Sequence, residues 1–155
     1  MAFKLSSRSM AKLDGVHPDL VKVVQRAIEL TRVDFGVTCG LRTIEEQKAL
    51  VASGASQTMS SKHIPQDTGY SHAVDLVAYV GPRVSWELNL YDDICDAMKQ
   101  AAEEVGVAIK WGASWSEGDI REYPSSAEDA MNTYVDLRRS QGRRPFIDAP
   151  HFEMM

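Results

Sequence analysis

The octapeptide AVDLVAYV, residues 73–80, predicts the central element of the fold. Apolar residues fill every position except Asp75, which indicates a largely buried β-strand. Because side chains alternate along a strand, Ala73, Asp75 and Val77 are expected on one face. A carboxylate buried there without a partner would cost several kcal/mol or have a raised pKa. The octapeptide therefore predicts a strand whose carboxylate has a partner or binds a metal ion.

Helical patterns lie on both sides of this strand. Three segments have apolar spacing or capping signals typical of helices, namely residues 18–31, 43–53 and 90–105. Thr43 and Glu46 fit a capping box at the start of the second segment. Gly54 and Gly106 follow the second and third segments, as expected for residues that end helices.

Short strands are predicted around these helices, at residues 34–39 and 107–112, with a final strand or loop at 146–152. The polar segment 55–71 is interpreted as a loop that carries His63 towards the site. The segment 114–144 has the weakest pattern; residues 128–139 are compatible with a helix, in a segment that covers or flanks the site.

Histidine and aspartate residues recur in three short segments, 61–63, 72–75 and 148–151. Two imidazoles and one carboxylate form a three-ligand set that leaves the fourth position of a zinc ion open for water. A further carboxylate, three residues before the last histidine, can accept the proton of that water. These residue types therefore indicate metal-assisted hydrolysis.

The order of these motifs resembles the phage endolysin branch of the D-alanyl-D-alanine carboxypeptidase (VanY-like) family of zinc peptidases. The resemblance rests on residues 5–20, TCGLRTIEEQ at 38–47, Ser61-x-His63, residues 73–76, Trp111-Gly112 and residues 148–153. It implies an α+β, Hedgehog/DD-peptidase-like fold, in which a small antiparallel sheet carries a zinc site and helices flank it. A single domain over residues 1–155 is expected.

The resemblance also implies the roles of individual residues. His63, Asp75 and His151 would bind Zn²⁺, and Asp148 would act as the catalytic base. The proline at position 150 restricts Ala149 to extended conformations, which stiffens the placement of that base.

Arg42 and Ser61 are the substrate-binding candidates. The family has an arginine near the substrate at the position of Arg42, where a guanidinium binds a carboxylate or stabilises an oxyanion. The alternative for Arg42 is a surface salt bridge with Glu45 or Glu46. Ser61 matches the family serine, which is expected to contact substrate or brace the loop.

One departure from the family leaves two assignments open. His63 and Asp75 are twelve residues apart instead of the usual seven, so that residues 64–70 contain about five extra residues and Ser71 replaces the usual glycine. In an alternative register His72 is the ligand. We favour His63, because the odd spacing of His72 and Asp75 would point them to opposite faces of a strand.

Composition limits the remaining function classes. The net charge of −5 argues against nucleic acid as the main partner, and no apolar run reaches the roughly 20 residues of a membrane-spanning helix. Four arginines at positions 138, 139, 143 and 144 form the one basic cluster and are interpreted as a solvated surface. The N-terminus has no pattern of a signal peptide. A monomer made in the host cytoplasm is expected, with a holin giving access to the cell wall.

The resemblance implies a peptidoglycan peptidase that lyses the bacterial wall, with the L-alanyl-D-glutamate bond of the stem peptide as the preferred target. A D-alanyl-D-alanine carboxypeptidase is the closest alternative. Two others stay open: a non-catalytic wall-binding or virion module, and an amidohydrolase of small peptides.

Overall fold

A five-stranded antiparallel sheet forms the centre of the computed structural model, which describes residues 2–155. Met1, the first residue of the predicted domain and N-terminus, lies outside the described residues. The strands are β1 (Asp34–Cys39), β2 (Ala73–Val80), β3 (Arg83–Ser85), β4 (Ile109–Trp111) and β5 (His151–Met154). Their order is β1-β2-β5-β4, and β3 pairs with the second half of β2. The predicted strand at 73–80 is therefore the central one.

Five α-helices and one 3-10 turn accompany the sheet. They are α1 (Ser7–Lys12), α2 (Pro18–Leu30), α3 (Ile44–Ala52), α4 (Leu88–Val105), the 3-10 turn Trp115–Glu117 and α5 (Ala127–Ser140). The capping box of Thr43 and Glu46 is present, and Gly106 ends α4 in the left-handed conformation with φ of 83°. No helix in the described part of the chain has the length and apolar character needed to cross a membrane.

The two faces of β2 differ as the alternation predicts. Val74, Leu76 and Ala78 belong to the main hydrophobic cluster, which also contains buried residues of α2 and α4. Each large apolar side chain fully buried there stabilises the fold by roughly 1.5–3 kcal/mol. Asp75 lies on the other face and keeps 23% of its side-chain surface exposed.

The register of the sheet places three polar side chains in one row. Cys39 on β1 lies opposite Asp75 on β2, which lies opposite His151 on β5. An irregularity between Val37 and Cys39 brings Cys39, rather than Thr38, opposite Asp75. Such bulges re-aim side chains beside functional sites. The row of Cys39, Asp75 and His151 forms the floor of the candidate site.

Candidate active site and metal centre

Two imidazoles converge on one carboxylate oxygen at the centre of the site. His63 Nε2 and His151 Nδ1 each lie 3.2 Å from Asp75 Oδ1. The side chains of His63 and His151 are only 3% and 10% exposed. The structure thus brings together the three residues that the sequence predicts as ligands.

The backbone fixes the orientation of the His63 ring. Its Nδ1 lies 2.8 Å from the carbonyl oxygen of Gly40, a distance at which Nδ1–H donates a hydrogen bond. The backbone N–H of His63 donates to Ser61 Oγ at 3.1 Å, so Ser61 braces the loop. With Nδ1 as the donor, the lone pair of Nε2 faces Asp75 and is free to bind a metal ion.

The His151 ring is oriented by a carboxylate in the same way. Its Nε2 lies 2.8 Å from Glu153 Oε1, two residues further along β5. When Nε2–H donates to Glu153, the lone pair of Nδ1 points towards Asp75. Both imidazoles therefore present a free nitrogen to the same point, each supported from behind by an acceptor.

A tight approach between β4 and the C-terminal segment places Asp148. Its N–H donates to the Gly112 carbonyl oxygen, and the Gly112 N–H donates to the His151 carbonyl oxygen, both at 2.8 Å. A methyl group on Gly112 would collide with the Asp148 carbonyl oxygen, so only glycine fits. The Trp111 indole N–H donates to the Ala149 carbonyl oxygen at 2.8 Å. Asp148 is thus held beside Asp75 and His151.

The pKa values reflect this concentration of charge. Burial would lower the pKa of both imidazoles, but hydrogen bonds with Asp75 outweigh it, raising the pKa of His63 to about 10 and that of His151 to about 9. Burial would raise the pKa of Asp75, yet the two imidazoles hold it well below its usual range. Burial and the charge of Asp75 raise the pKa of Asp148. At neutral pH these pKa values place a proton on the nitrogen that each imidazole points towards Asp75, and a metal ion would displace those protons and supply the positive charge instead.

Asp75 belongs to two overlapping groups of metal donors. One contains Cys39 and His63, the other contains Asp148 and His151, and within each group the donor atoms lie within 4.8 Å of one another. Imidazole nitrogen and carboxylate oxygen suit a divalent cation such as zinc. The proposed ligands His63, Asp75 and His151 take one imidazole from each group, with Asp75 common to both, and these donor types with their supporting hydrogen bonds fit a bound metal ion.

Arg42 is held in the site by two side chains, and the sequence did not predict that these would contact it. Its guanidinium donates to Gln47 Oε1 at 2.7 Å and to Cys39 Sγ at 3.3 Å. The alternative salt bridge with Glu45 or Glu46 is absent among residues 2–155.

Gln47 is the residue that sequence analysis missed. Its side chain is fully buried, and its amide NH₂ donates to Ser56 Oγ at 2.9 Å and the Thr58 carbonyl oxygen at 2.6 Å. It therefore connects Arg42 on one side to the loop after α3 on the other. In the sequence Gln47 is only one polar side chain in a predicted helix, and this does not predict that it is buried.

The longer loop between His63 and Asp75 folds back on itself. The side-chain NH₂ of Gln66 donates to the carbonyl oxygens of Ser61 and Ile64, at 3.2 and 2.8 Å. His72 points elsewhere: its Nε2 lies 2.7 Å from Thr68 Oγ1, outside both donor groups. The extra residues therefore leave His63 beside Asp75.

A groove of about 870 Å³ opens over these residues. Its lining includes all six predicted site residues, namely Arg42, Ser61, His63, Asp75, Asp148 and His151. Trp115 and Phe146 form one wall, whereas Trp111 is buried in the core. The groove can therefore admit an extended peptide to the imidazoles and carboxylates.

Three relatives have the same architecture or sequence pattern. The chain is 33% identical over 127 residues to the L-alanyl-D-glutamate peptidase of Escherichia phage T5, covering 79% of this chain and 89% of that protein. It is 32% identical to the L-alanyl-D-glutamate peptidase of Listeria phage A118, over 71% of this chain and 37% of that longer protein. The crystal structure of the Serratia marcescens L-Ala D-Glu endopeptidase ChiX superposes with a TM-score of 0.71 at 32% identity, covering 99% of this chain and 91% of that one.

The likeness to ChiX confirms the predicted α+β fold with its small antiparallel sheet. The family model for phage L-alanyl-D-glutamate peptidase matches residues 1–155, the whole chain. The chain therefore belongs to the phage L-alanyl-D-glutamate peptidase family.

Proposed function

We propose that this peptidase hydrolyses the L-alanyl-D-glutamate bond of the peptidoglycan stem with one zinc ion held by His63, Asp75 and His151. The observation that carries the proposal is the convergence of both imidazole nitrogens on Asp75 Oδ1, at 3.2 Å each. The bond is taken from the names of the phage relatives. When bound, the zinc ion supplies Lewis-acid chemistry that lowers the pKa of water.

Asp148 is the proposed base. Its raised pKa and its place beside Asp75 and His151 suit a carboxylate that takes a proton from the attacking water and returns it to the leaving amine. Arg42 would hold a substrate carboxylate or the oxyanion, since its guanidinium lines the groove. Ser61 acts through the loop, because its hydroxyl already accepts the His63 N–H.

The mode of access to the wall is part of the same proposal. We expect a monomer that is made in the host cytoplasm and reaches the peptidoglycan after a holin opens the membrane. Neither nucleic acid nor membrane insertion is needed for the reaction.

The test is digestion of purified Gram-negative peptidoglycan by the zinc-loaded protein, with and without a chelator, followed by mass spectrometry. Fragments with a new N-terminal D-glutamate that disappear with the chelator are expected. Release of terminal D-alanine alone would favour a carboxypeptidase, and no zinc-dependent product would favour a non-catalytic wall-binding module.

A further inference from the structure

A second cleft, of about 520 Å³, adjoins the active-site groove. Trp115 and Phe146 line both, and the second cleft continues over α5 with Tyr134, Leu137, Arg138 and Arg143. Because Trp115 and Phe146 border both, the cleft lies directly beside the groove in which a peptide would bind.

The aromatic side chains form a continuous path out of the catalytic centre. The Trp115 ring lies 5.6 Å from the His151 ring, and the Phe146 ring stacks on Trp115 at 6.3 Å with an angle of 22° between the planes. An extended peptide advances about 3.4 Å per residue. The path from the His151 ring over Trp115 to Phe146 therefore corresponds to about three to four residues of extended peptide.

Phe146 is exposed yet fixed. It keeps 56% of its surface accessible, while its N–H donates to the Tyr134 hydroxyl at 3.2 Å and its carbonyl oxygen accepts from the same hydroxyl at 2.9 Å. The hydroxyl belongs to a buried side chain of α5. A large apolar ring held in solvent in this way suits contact with a ligand.

The charge of the cleft is opposite to that of the molecule. The chain has a net charge of −5, yet the lining contains Arg138 and Arg143 and no acidic residue. Within residues 2–155 neither guanidinium lies within 4.0 Å of a carboxylate. Arg138 Nε is buried and lacks a hydrogen-bond partner there, whereas Arg143 is exposed. Neither guanidinium is therefore paired with a carboxylate of the protein, and the exposed Arg143 can bind one from a ligand.

We propose that this cleft is a subsite for a carboxylate on the stem peptide, several residues beyond the bond that is cut. The inference rests on the proposed function and names the part of the substrate that the cleft recognises. The D-glutamyl side of an L-alanyl-D-glutamate bond carries the second carboxyl group of the glutamate and the terminal carboxylate of the peptide, so the positive cleft selects that side. Trp115 and Phe146 pack on the intervening peptide, and Arg138 and Arg143 bind the carboxylate.

The test compares two L-alanyl-D-glutamyl peptides of equal length, one with free carboxylates beyond the D-glutamate and one with those carboxylates amidated. The wild-type protein is expected to cut the free peptide with at least tenfold higher kcat/KM. Arg143→Gln should lose most of that preference through a higher KM, and Arg138→Gln with Arg143→Gln should lose all of it. Arg143 is exposed, so its substitution leaves the fold intact.

Arg139→Gln with Arg144→Gln is the matched control, because both residues are exposed and lie outside the cleft lining. Equal loss in this control would assign the preference to overall charge and overturn the subsite. An unchanged preference in the cleft variants would overturn it as well.

Binding to Asp148→Asn protein, measured by calorimetry, separates this inference from the proposed function. If the wild-type protein cuts neither peptide but Asp148→Asn protein binds the free peptide more tightly in an arginine-dependent way, the function fails and the subsite holds. If both peptides bind equally, the subsite fails whatever the activity.

Discussion

At the residue scale, a substitution of Asp148 distinguishes the proposed proton transfer from metal binding. We expect Asp148→Asn to lower kcat/KM on peptidoglycan fragments by about 10²–10⁴-fold, because the amide cannot accept a proton from water. Zinc content should stay unchanged, since the proposed ligands are retained. Asp136→Asn, at an exposed position of α5, is the control. Unchanged activity in Asp148→Asn would remove it from the mechanism.

Glu153 would act on a bound metal ion through His151. Its carboxylate lies 2.8 Å from His151 Nε2 and fixes which nitrogen is free. Loss of such a partner typically weakens metal binding 10–100-fold, so we expect a shift of about this size for Glu153→Gln in competition with a chromophoric chelator. Glu122→Gln, exposed and remote, should show no change. A wild-type affinity in Glu153→Gln would mean that the ring is oriented without it.

Sequence motifs identified the residues whose chemistry is unusual, and they also predicted that Ser61 braces the loop, but they did not identify the residue that supports Arg42. His63, Asp75, Asp148 and His151 could be named because their types and order are informative, and the structure places them together. Gln47 could not, because its importance depends on burial and on partners from two other segments.

At the element scale, α3 and the loop after it are coupled to Arg42 through Gln47. We expect Gln47→Leu to lower kcat/KM about tenfold or more, because Arg42 and the Thr58 carbonyl group lose their shared partner. A double-mutant cycle with Arg42→Ala measures whether the effect passes through Arg42.

Non-additive losses in kcat/KM are expected for Gln47→Leu and Arg42→Ala. Gln100→Leu, an exposed glutamine on α4, is the control for the substitution itself. Purely additive losses would show that Gln47 serves only the stability of the helix.

Asp92 on α4 lowers the free energy of unfolding in a pH-dependent way. Burial, then the charges of Glu128, Asp96 and Asp93, raise its pKa from 3.8 to about 6, and its Oδ1 has no partner within residues 2–155. The folded chain thus binds this proton more tightly than the unfolded chain. The stability gained is present below about pH 4 and is lost as the pH rises through about 6.

Asp92→Asn should therefore raise the free energy of unfolding at pH 8 by about 3 kcal/mol. The gain should shrink to less than half near pH 4.5, as measured by urea unfolding at both values. A gain independent of pH would indicate a packing effect, and Asp136→Asn should give none.

Helices and long strands were predictable because periodicity and caps are local. The helix at 127–140 and the turn at Gly106 follow the predicted positions closely. The three-residue β3 was missed, since a strand that short has no period to detect. The compact turn within residues 64–70 could not be predicted from the sequence either. It is closed by hydrogen bonds from the Gln66 side chain to the backbone of the same loop, and no sequence pattern indicates such contacts.

At the scale of the whole molecule, a bound metal ion would join the 53–72 loop to β2 and β5. Zinc at about 100 times its Kd should stabilise the fold by about 2.7 kcal/mol. For a chain of this size this corresponds to a rise in Tm of about 5–10 °C. A chelator should reverse the rise, and His63→Ala should show little of it. A zinc-dependent rise of equal size in His63→Ala would place the metal elsewhere.

The most direct test of the proposed metal centre is to measure the zinc content per chain and the peptidase activity of three proteins. These are the wild type, His63→Ala and His72→Ala. We expect about one zinc ion per chain and full activity in the wild type and in His72→Ala. His63→Ala should lose both while remaining folded. Zinc and activity retained in His63→Ala but lost in His72→Ala would contradict the proposed metal centre.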